Sequence, residues 1–340
     1  MNDASAARPT TGYRRHPLGN WKLPPERGHM DLADGIYLQN MTMKQVAERL
    51  KSNDLLIVPV GATENHGPNA PLGEDIFLVT RMAELVARRT GCTVSQPLWF
   101  GSHPFHHMGM PGTVVVPEDI FVGMLQSMIA GFWNMGFRKQ IILNGHGQEY
   151  VIPVAIHRFA KTYQVPAIIV NVNWYHAIQD QFKLKSEGGP YETHFIHADE
   201  VETSWSLLLF PEYMHQEWAV DTEPKSFIRD GHVDKAGNLL HRPIAWYGHV
   251  GLSAVEWAAT PQGVVGKATL ADPEKARPGC ERLLDYLVTL VDDILEAWPP
   301  GTLPPAQLLT QRPREEIEAV LKNPFEPGWR SLYSLHYPPA

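Results

Sequence analysis

The sequence predicts an α/β fold, a single domain with a mainly parallel sheet flanked by helices on both faces and a site at the strand C-terminal ends. Short apolar runs, Leu55-Leu56-Ile57-Val58-Pro59-Val60, Lys139-Gln140-Ile141-Ile142-Leu143 and residues 167–172, alternate with stretches of helical period. The first and second runs each give way to a Gly-bearing loop that carries a histidine, which is where such sheets deliver ligand-binding groups. No low-complexity linker or block of charge divides the middle of the 340 residues, so one large domain is expected.

Taken in order, residues 12–40 are rich in Pro and Gly without a sustained period, and we read residues 1–42 as an N-terminal arm. Met43, Val46, Ala47 and Leu50 have helical spacing, followed by the first strand. Ile76, Val79, Met82 and Val86 mark a helix from near Ile76 to Thr90, stopped by Gly91. Pro117-Glu118-Asp119 opens a helix to Met135, with Pro and acids in its first turn. Helices are also predicted over 151–163, after Asp199, and from Asp272 to about Trp298. Residues 211–260 are irregular and rich in His and Trp. The α/β domain therefore spans 43–297, and 298–340 form a Pro-rich, aromatic C-terminal arm placed to embrace a neighbouring subunit.

Composition excludes several classes. The formal charge is −8, with Lys and Arg scattered, which lacks the footprint of a nucleic-acid binder. Cys92 and Cys280 are too few for a disulfide framework and fit reduced thiols in the cytoplasm. Neither a secretory signal nor a run of membrane-spanning length is present, so no membrane partner is expected.

The chemistry concentrates in a few stretches. Glu64-Asn65-His66 and, nine positions past the His, Asp75 follow the first strand. Carboxylate and imidazole together suit Zn²⁺, Mn²⁺ or Fe²⁺. The competing reading is a solvated loop whose Asp caps the next helix. His103, His106 and His107 lie in a loop with no carboxylate near in sequence, and we read them as lining a substrate pocket. Asn144-Gly145-His146-Gly147 would bring His146 to the sheet edge that presents Glu64 and His66. In His197-Ala198-Asp199-Glu200-Val201-Glu202, helix capping accounts for Asp199 and Glu200, but leaves His197 and Glu202 unexplained.

Glu64-Asn65-His66-Gly67 with Asp75, Met110-Pro111-Gly112-Thr113, Asn144-Gly145-His146-Gly147 and His197 to Ser204 stand in the order and spacing of the creatininase (creatinine amidohydrolase) family. The chain resembles that family over roughly 43 to 297. The resemblance implies Glu64, His66, Asp75 and His146 as metal ligands, with Asp75 able to bridge. It brings Glu202 to the metal as well, makes His197 a proton donor, and implies a homohexamer. Gln148 stands where creatininases proper carry a Glu, which leaves the number of ions at one or two, and we read Gln148 and Trp174 as substrate contacts.

Such a site implies hydrolysis of a small cyclic carbonyl compound by water whose pKa a divalent ion lowers toward ~7. The layout is similar to the branch that opens a diketo-inositol ring to a keto-gluconate by C–C hydrolysis. The alternatives are a cyclic-amide hydrolase of the creatinine type and a metal-binding scaffold without catalysis.

Overall fold

The computed structural model describes residues 15–25, 33, 35–223, 233–234, 244–245, 262–305 and 310–336. Its centre is a sheet of β1 (Leu55–Val60), β2 (Thr93–Val94), β3 (Lys139–Asn144) and β4 (Ile168–Asn173), in the order β2-β1-β3-β4 with every pairing parallel. Because successive side chains point to opposite faces, an apolar run serves two cores at once. Leu55, Ile57, Ile141 and Leu143 enter one core, whereas Leu56, Val58, Val60 and Ile142 enter the other. This explains why β1 and β3 read as continuous apolar runs rather than as alternations.

The first core is covered by α2 (Glu74–Thr90), the short α5 (Trp174–Ala177), α6 (Glu200–Leu209) and α7 (Pro273–Ala297). The second is covered by α3 (Glu118–Met135), α4 (Ile152–Tyr163) and α8 (Arg314–Leu321), with α1 (Met43–Ser52) contributing Val46. Local signals set the ends. Thr42 and Gln45 form a capping box on α1, Asp272 caps α7, and Gly91 and Gly136 end α2 and α3 in the left-handed region at φ 73° and 109°. Among the described residues, no helix is long and apolar enough to cross a membrane.

Three features differ from the sequence expectation. The α2 helix starts at Glu74 rather than near Ile76, so Asp75 lies in its first turn instead of capping it. Acids are favoured there by the helix dipole, and apolar period cannot register them. β2 is only two residues long, too short to leave a periodic trace. The described parts of both termini lie on their own domain. Trp21 is buried under the Arg89 guanidinium, 3.5 Å from its ring centre, and donates from Nε1 to Asp285 on α7. At the other end Ile317, Val320 and Leu332 complete the second core. The His- and Trp-rich stretch within 211–260 lies mostly outside the described residues.

Register places the site. Val60 pairs with Asn144, and Asn144 with Asn173, so three strands end level and release their loops at one edge. At the opposite end Arg138 holds the C-terminal segment, donating to the carbonyls of Val320, Leu321 and Lys322 at 2.7 to 3.0 Å. Arg138→Ala removes these charge-assisted bonds at a cost on the order of 2 kcal/mol. Limited proteolysis should then cut the variant within 310–322 under conditions that leave the parent chain whole.

Candidate metal centre

The loop after β1 is built by close approach and by hydrogen bonds to its neighbours. A Cβ at Gly61 would sit 2.8 Å from the Ile76 nitrogen, and one at Gly145 would collide with the Asp75 carbonyl oxygen. Both glycines therefore let the β1 and β3 loops press against the start of α2. The amide of Glu64 donates to Leu72 (2.8 Å), closing the loop around His66. The Met110-Pro111-Gly112-Thr113 segment supports that loop: Asn65 donates from Nδ2 to the Pro111 carbonyl (2.8 Å) and from its backbone to Thr113 Oγ1 (3.2 Å).

Four carboxylates and five imidazoles converge here, all buried: Glu64, Glu74, Asp75 and Glu202 with His66, His103, His107, His146 and His197. His66 Nε2 lies 3.3 Å from Glu74 Oε2, 3.4 Å from Asp75 Oδ1 and 3.7 Å from Glu202 Oε2. His146 Nδ1 lies 2.9 Å from Glu64 Oε2 and 3.1 Å from Asp75 Oδ2. Asp75 thus faces both imidazoles, one with each oxygen. The His66 Nδ1 is 3.2 Å from the Glu64 carbonyl oxygen, a contact that, as an N–H donation, turns the Nε2 lone pair toward the acids.

Several of the converging atoms have no hydrogen-bond partner. His66 Nε2, Glu74 Oε2, Asp75 Oδ2, His146 Nε2 and both nitrogens of His103 are buried with no hydrogen-bond partner. Buried polar atoms left so cost about 1–3 kcal/mol each. Buried ligand-type atoms that converge while lacking hydrogen-bond partners are arranged as ligands around a common point. Two four-residue groups each bring one donor atom per residue within 4.8 Å of one another: His66, Glu74, Asp75 and Glu202, and Glu64, His103, His107 and His146. The residues present fit a divalent ion.

The charges among the protein groups run the same way. Burial works against ionisation of Glu64, yet His107, His146 and His197 hold it well below the usual carboxylate range. Burial likewise opposes charge on His146, but Glu64 and Asp75 raise it to about 10. Burial pushes Glu202 well up, with Glu74 adding to the effect. His197 is lowered to about 4, mainly by burial. Its Nε2 lies 2.8 Å from the Asn65 carbonyl oxygen, so the neutral ring donates there and presents Nδ1, 3.8 Å from Glu202 Oε2, as an acceptor.

The α6 helix positions Glu202. Asp199 caps it, accepting from Val201 and Glu202. Ala198, in the left-handed region at φ 48°, turns its amide onto Glu202 Oε2 at 2.6 Å. A non-glycine residue in that region is uncommon and marks a turn the surroundings enforce.

The family model described as creatinine amidohydrolase matches residues 39–291, most of the chain. This chain belongs to the creatininase family. The 3-dehydro-scyllo-inosose hydrolase of Thermotoga maritima is 70% identical over 305 residues, covering 90% of this chain and 98% of that protein. Among solved structures, a manganese creatininase shares the fold at TM-score 0.61 and 21% identity, covering 78% of this chain and 99% of that one. A creatininase mutant of the zinc–zinc type does so at TM-score 0.59 and 23% identity, covering 78% and 98%. The chain is accordingly a metal-dependent hydrolase of the creatininase family.

Within this creatininase-family site the structure gathers Glu64, His66, Asp75, His146, His197 and Glu202 as the sequence motifs suggested. Several other residues stand elsewhere than expected. Trp174, read as meeting substrate, is fully buried in the first core against Trp205 and donates to the Gly145 carbonyl (3.2 Å). Gln148 is occupied as a brace: Nε2 donates to Gly61 O and Asn144 Oδ1, both at 3.1 Å, and Oε1 accepts from the Ser102 amide at 3.0 Å. His103 and His107 do have a carboxylate beside them, Glu64, contacted by His107 Nδ1 and 3.7 Å from His103 Nδ1. The side chain of His106 lies outside the described residues. Glu74 was missed. Its position in the first turn of α2 concealed it, although its adjacency to Asp75 was a usable signal.

Burial pushes the Glu74 carboxyl up from 4.5 to about 7, with Asp75 and Glu64 adding to it against His66 and the Ser206 hydroxyl. A raised carboxyl contributes stability that is full below its unfolded value and is lost as pH rises through its folded value. In chelator-treated protein, the thermal stability of Glu74→Gln should therefore gain on the parent as pH rises from about 4.5 to about 7, by on the order of 3 kcal/mol. Added Zn²⁺, which favours the ionised carboxylate, should narrow that gap.

Proposed function

We propose that the chain hydrolyses a carbon–carbon bond of 3-dehydro-scyllo-inosose, a diketo-inositol, opening the ring to a keto-gluconate. The observation that carries this reading is the 70% identity to the Thermotoga maritima hydrolase over nearly its whole length, joined to a buried cluster suited to a divalent ion. Glu64, His66, Asp75, His146 and Glu202 are the proposed ligands, with Glu74 added from the geometry. A divalent ion held there, of the zinc or manganese kind present in creatininase structures, would polarise the carbonyl and lower the pKa of water.

The protein groups supply the rest. Water adds to one ketone, the bond from that carbon to the carbon between the two ketones breaks, and its electron pair moves onto that middle carbon. The second ketone holds the charge as an enolate. One carboxylate forms, and the middle carbon takes a proton. His197, neutral with its Nε2 proton committed to the Asn65 carbonyl, is placed to receive the water proton on Nδ1 and return it to carbon. Ala198 and Asn65 hold the two sides of that exchange, one through Glu202 and one through the ring itself.

The finer features of the protein are proposals too. Cytoplasmic residence is supported by Cys92 and Cys280, both free and buried. A homo-oligomer, a hexamer by family resemblance, is supported by exposed Ile120 and Met124, one turn apart on α3.

Purified protein should contain a divalent ion and open the diketo-inositol while leaving creatinine unchanged. Turnover of creatinine instead would make it an amidohydrolase, and absence of both ion and turnover after Mn²⁺ or Zn²⁺ addition would make it a scaffold. In elemental analysis Asp75→Asn should lose metal affinity by at least the ~100-fold that follows loss of a group supporting a ligand. His197→Asn should keep its metal and lose turnover by about 10²–10⁴-fold.

A further inference from the structure

We propose that His103 and His107, with Glu64 and His146, form an imidazole-rich cation position beside the carboxylate-rich one of His66, Glu74, Asp75 and Glu202. The inference rests on the metal-hydrolase reading above and goes beyond it in the ligands it assigns. Three imidazoles and one carboxylate suit a borderline divalent ion of the zinc type, whereas three carboxylates and one imidazole suit a harder one.

Gln148 is not available as a ligand. Both amide hydrogens and its oxygen already bind Gly61, Asn144 and Ser102, so this side chain is a brace between three loops. An amide is also a weaker ligand than a carboxylate for a divalent ion. Any second ion needs other donors, and the loop 101–109 provides them.

The 3-10 turn Phe105–Gly109, closed by the His107 amide on Pro104 and the Met110 amide on His107, both at 3.1 Å, returns His107 to the side of His103. Ring centres of His103 and His146 are 4.4 Å apart, and His107 lies 5.9 Å from the first and 6.0 Å from the second. Glu64 faces all three, with Oε1 toward His103 and His107 and Oε2 2.9 Å from His146 Nδ1. One donor atom from each of the four residues lies within 4.8 Å of the others.

A buried histidine kept for packing normally donates one ring nitrogen to a carbonyl or carboxylate. His103 is buried with neither nitrogen hydrogen-bonded. A cation reached through one of them supplies the missing partner.

The test is the ion count of the full-length protein, stripped with chelator, reloaded with Zn²⁺ and freed of excess. The parent should hold about two ions per chain, and His103→Asn and His107→Asn about one each, with unchanged circular dichroism. An unchanged count in both folded variants overturns the inference. Zinc absent from the parent overturns the metal-hydrolase reading with it. Should a variant fail to fold, zinc X-ray absorption of the parent decides. An average near two imidazoles per zinc supports ligation by His66, His103, His107 and His146 over two ions. An average near one leaves only His66 and His146 and overturns it.

Discussion

The rest of the structure depends on the burial of four carboxylates at one point of the sheet edge. Glu64, Glu74, Asp75 and Glu202 are each almost wholly removed from water, and an isolated buried carboxylate is far too costly to keep ionised. The fold meets this partly with imidazoles, which hold Glu64 and Asp75 down, and partly by leaving Glu74 and Glu202 inclined to keep a proton. Only added positive charge relieves all four. The loops, caps and glycines around the site hold like charges at distances that would otherwise spread.

Rigidity comes from supports that never touch the centre. Pro111 and Thr113 fix Asn65, which in turn fixes the His197 ring through its carbonyl. Gln148 ties the β1 loop, the β3 loop and the Ser102 segment together. Trp174 holds the carbonyl of Gly145 from below, one residue before His146. A metal centre needs its ligands held by a surrounding network, and here much of that network consists of neutral amides and backbone carbonyls, whose directions do not change with pH.

Much of this was legible from sequence. The two apolar runs announced β1 and β3, and the residues after each run were correctly placed at one edge because parallel strands of equal length end level. The motif residues Glu64, His66, Asp75, His146, His197 and Glu202 followed. What could not be read was side-chain allegiance. Trp174 and Gln148 have the chemistry of substrate contacts, but packing and hydrogen bonding between loops distant in sequence engage both. His103 lacked a carboxylate in its own neighbourhood of the chain, and the one it meets lies 39 positions earlier, at Glu64. Glu74 was hidden for a local reason, since an acid in a first helical turn already has a sufficient explanation.

Trp21 and the segment around Ile317 to Leu332 pack on opposite faces of the sheet, and each face is closed by residues distant in sequence from its strands. Trp21 belongs to the first core, which α7, about 250 positions further along, completes. Ile317, Val320 and Leu332 belong to the second, beside α3 and β3, whose Arg138 waits for the carbonyls of 320–322. Each face stays open until a segment far along the sequence reaches it, so closing the two cores relies on contacts of long sequence separation, which form slowly.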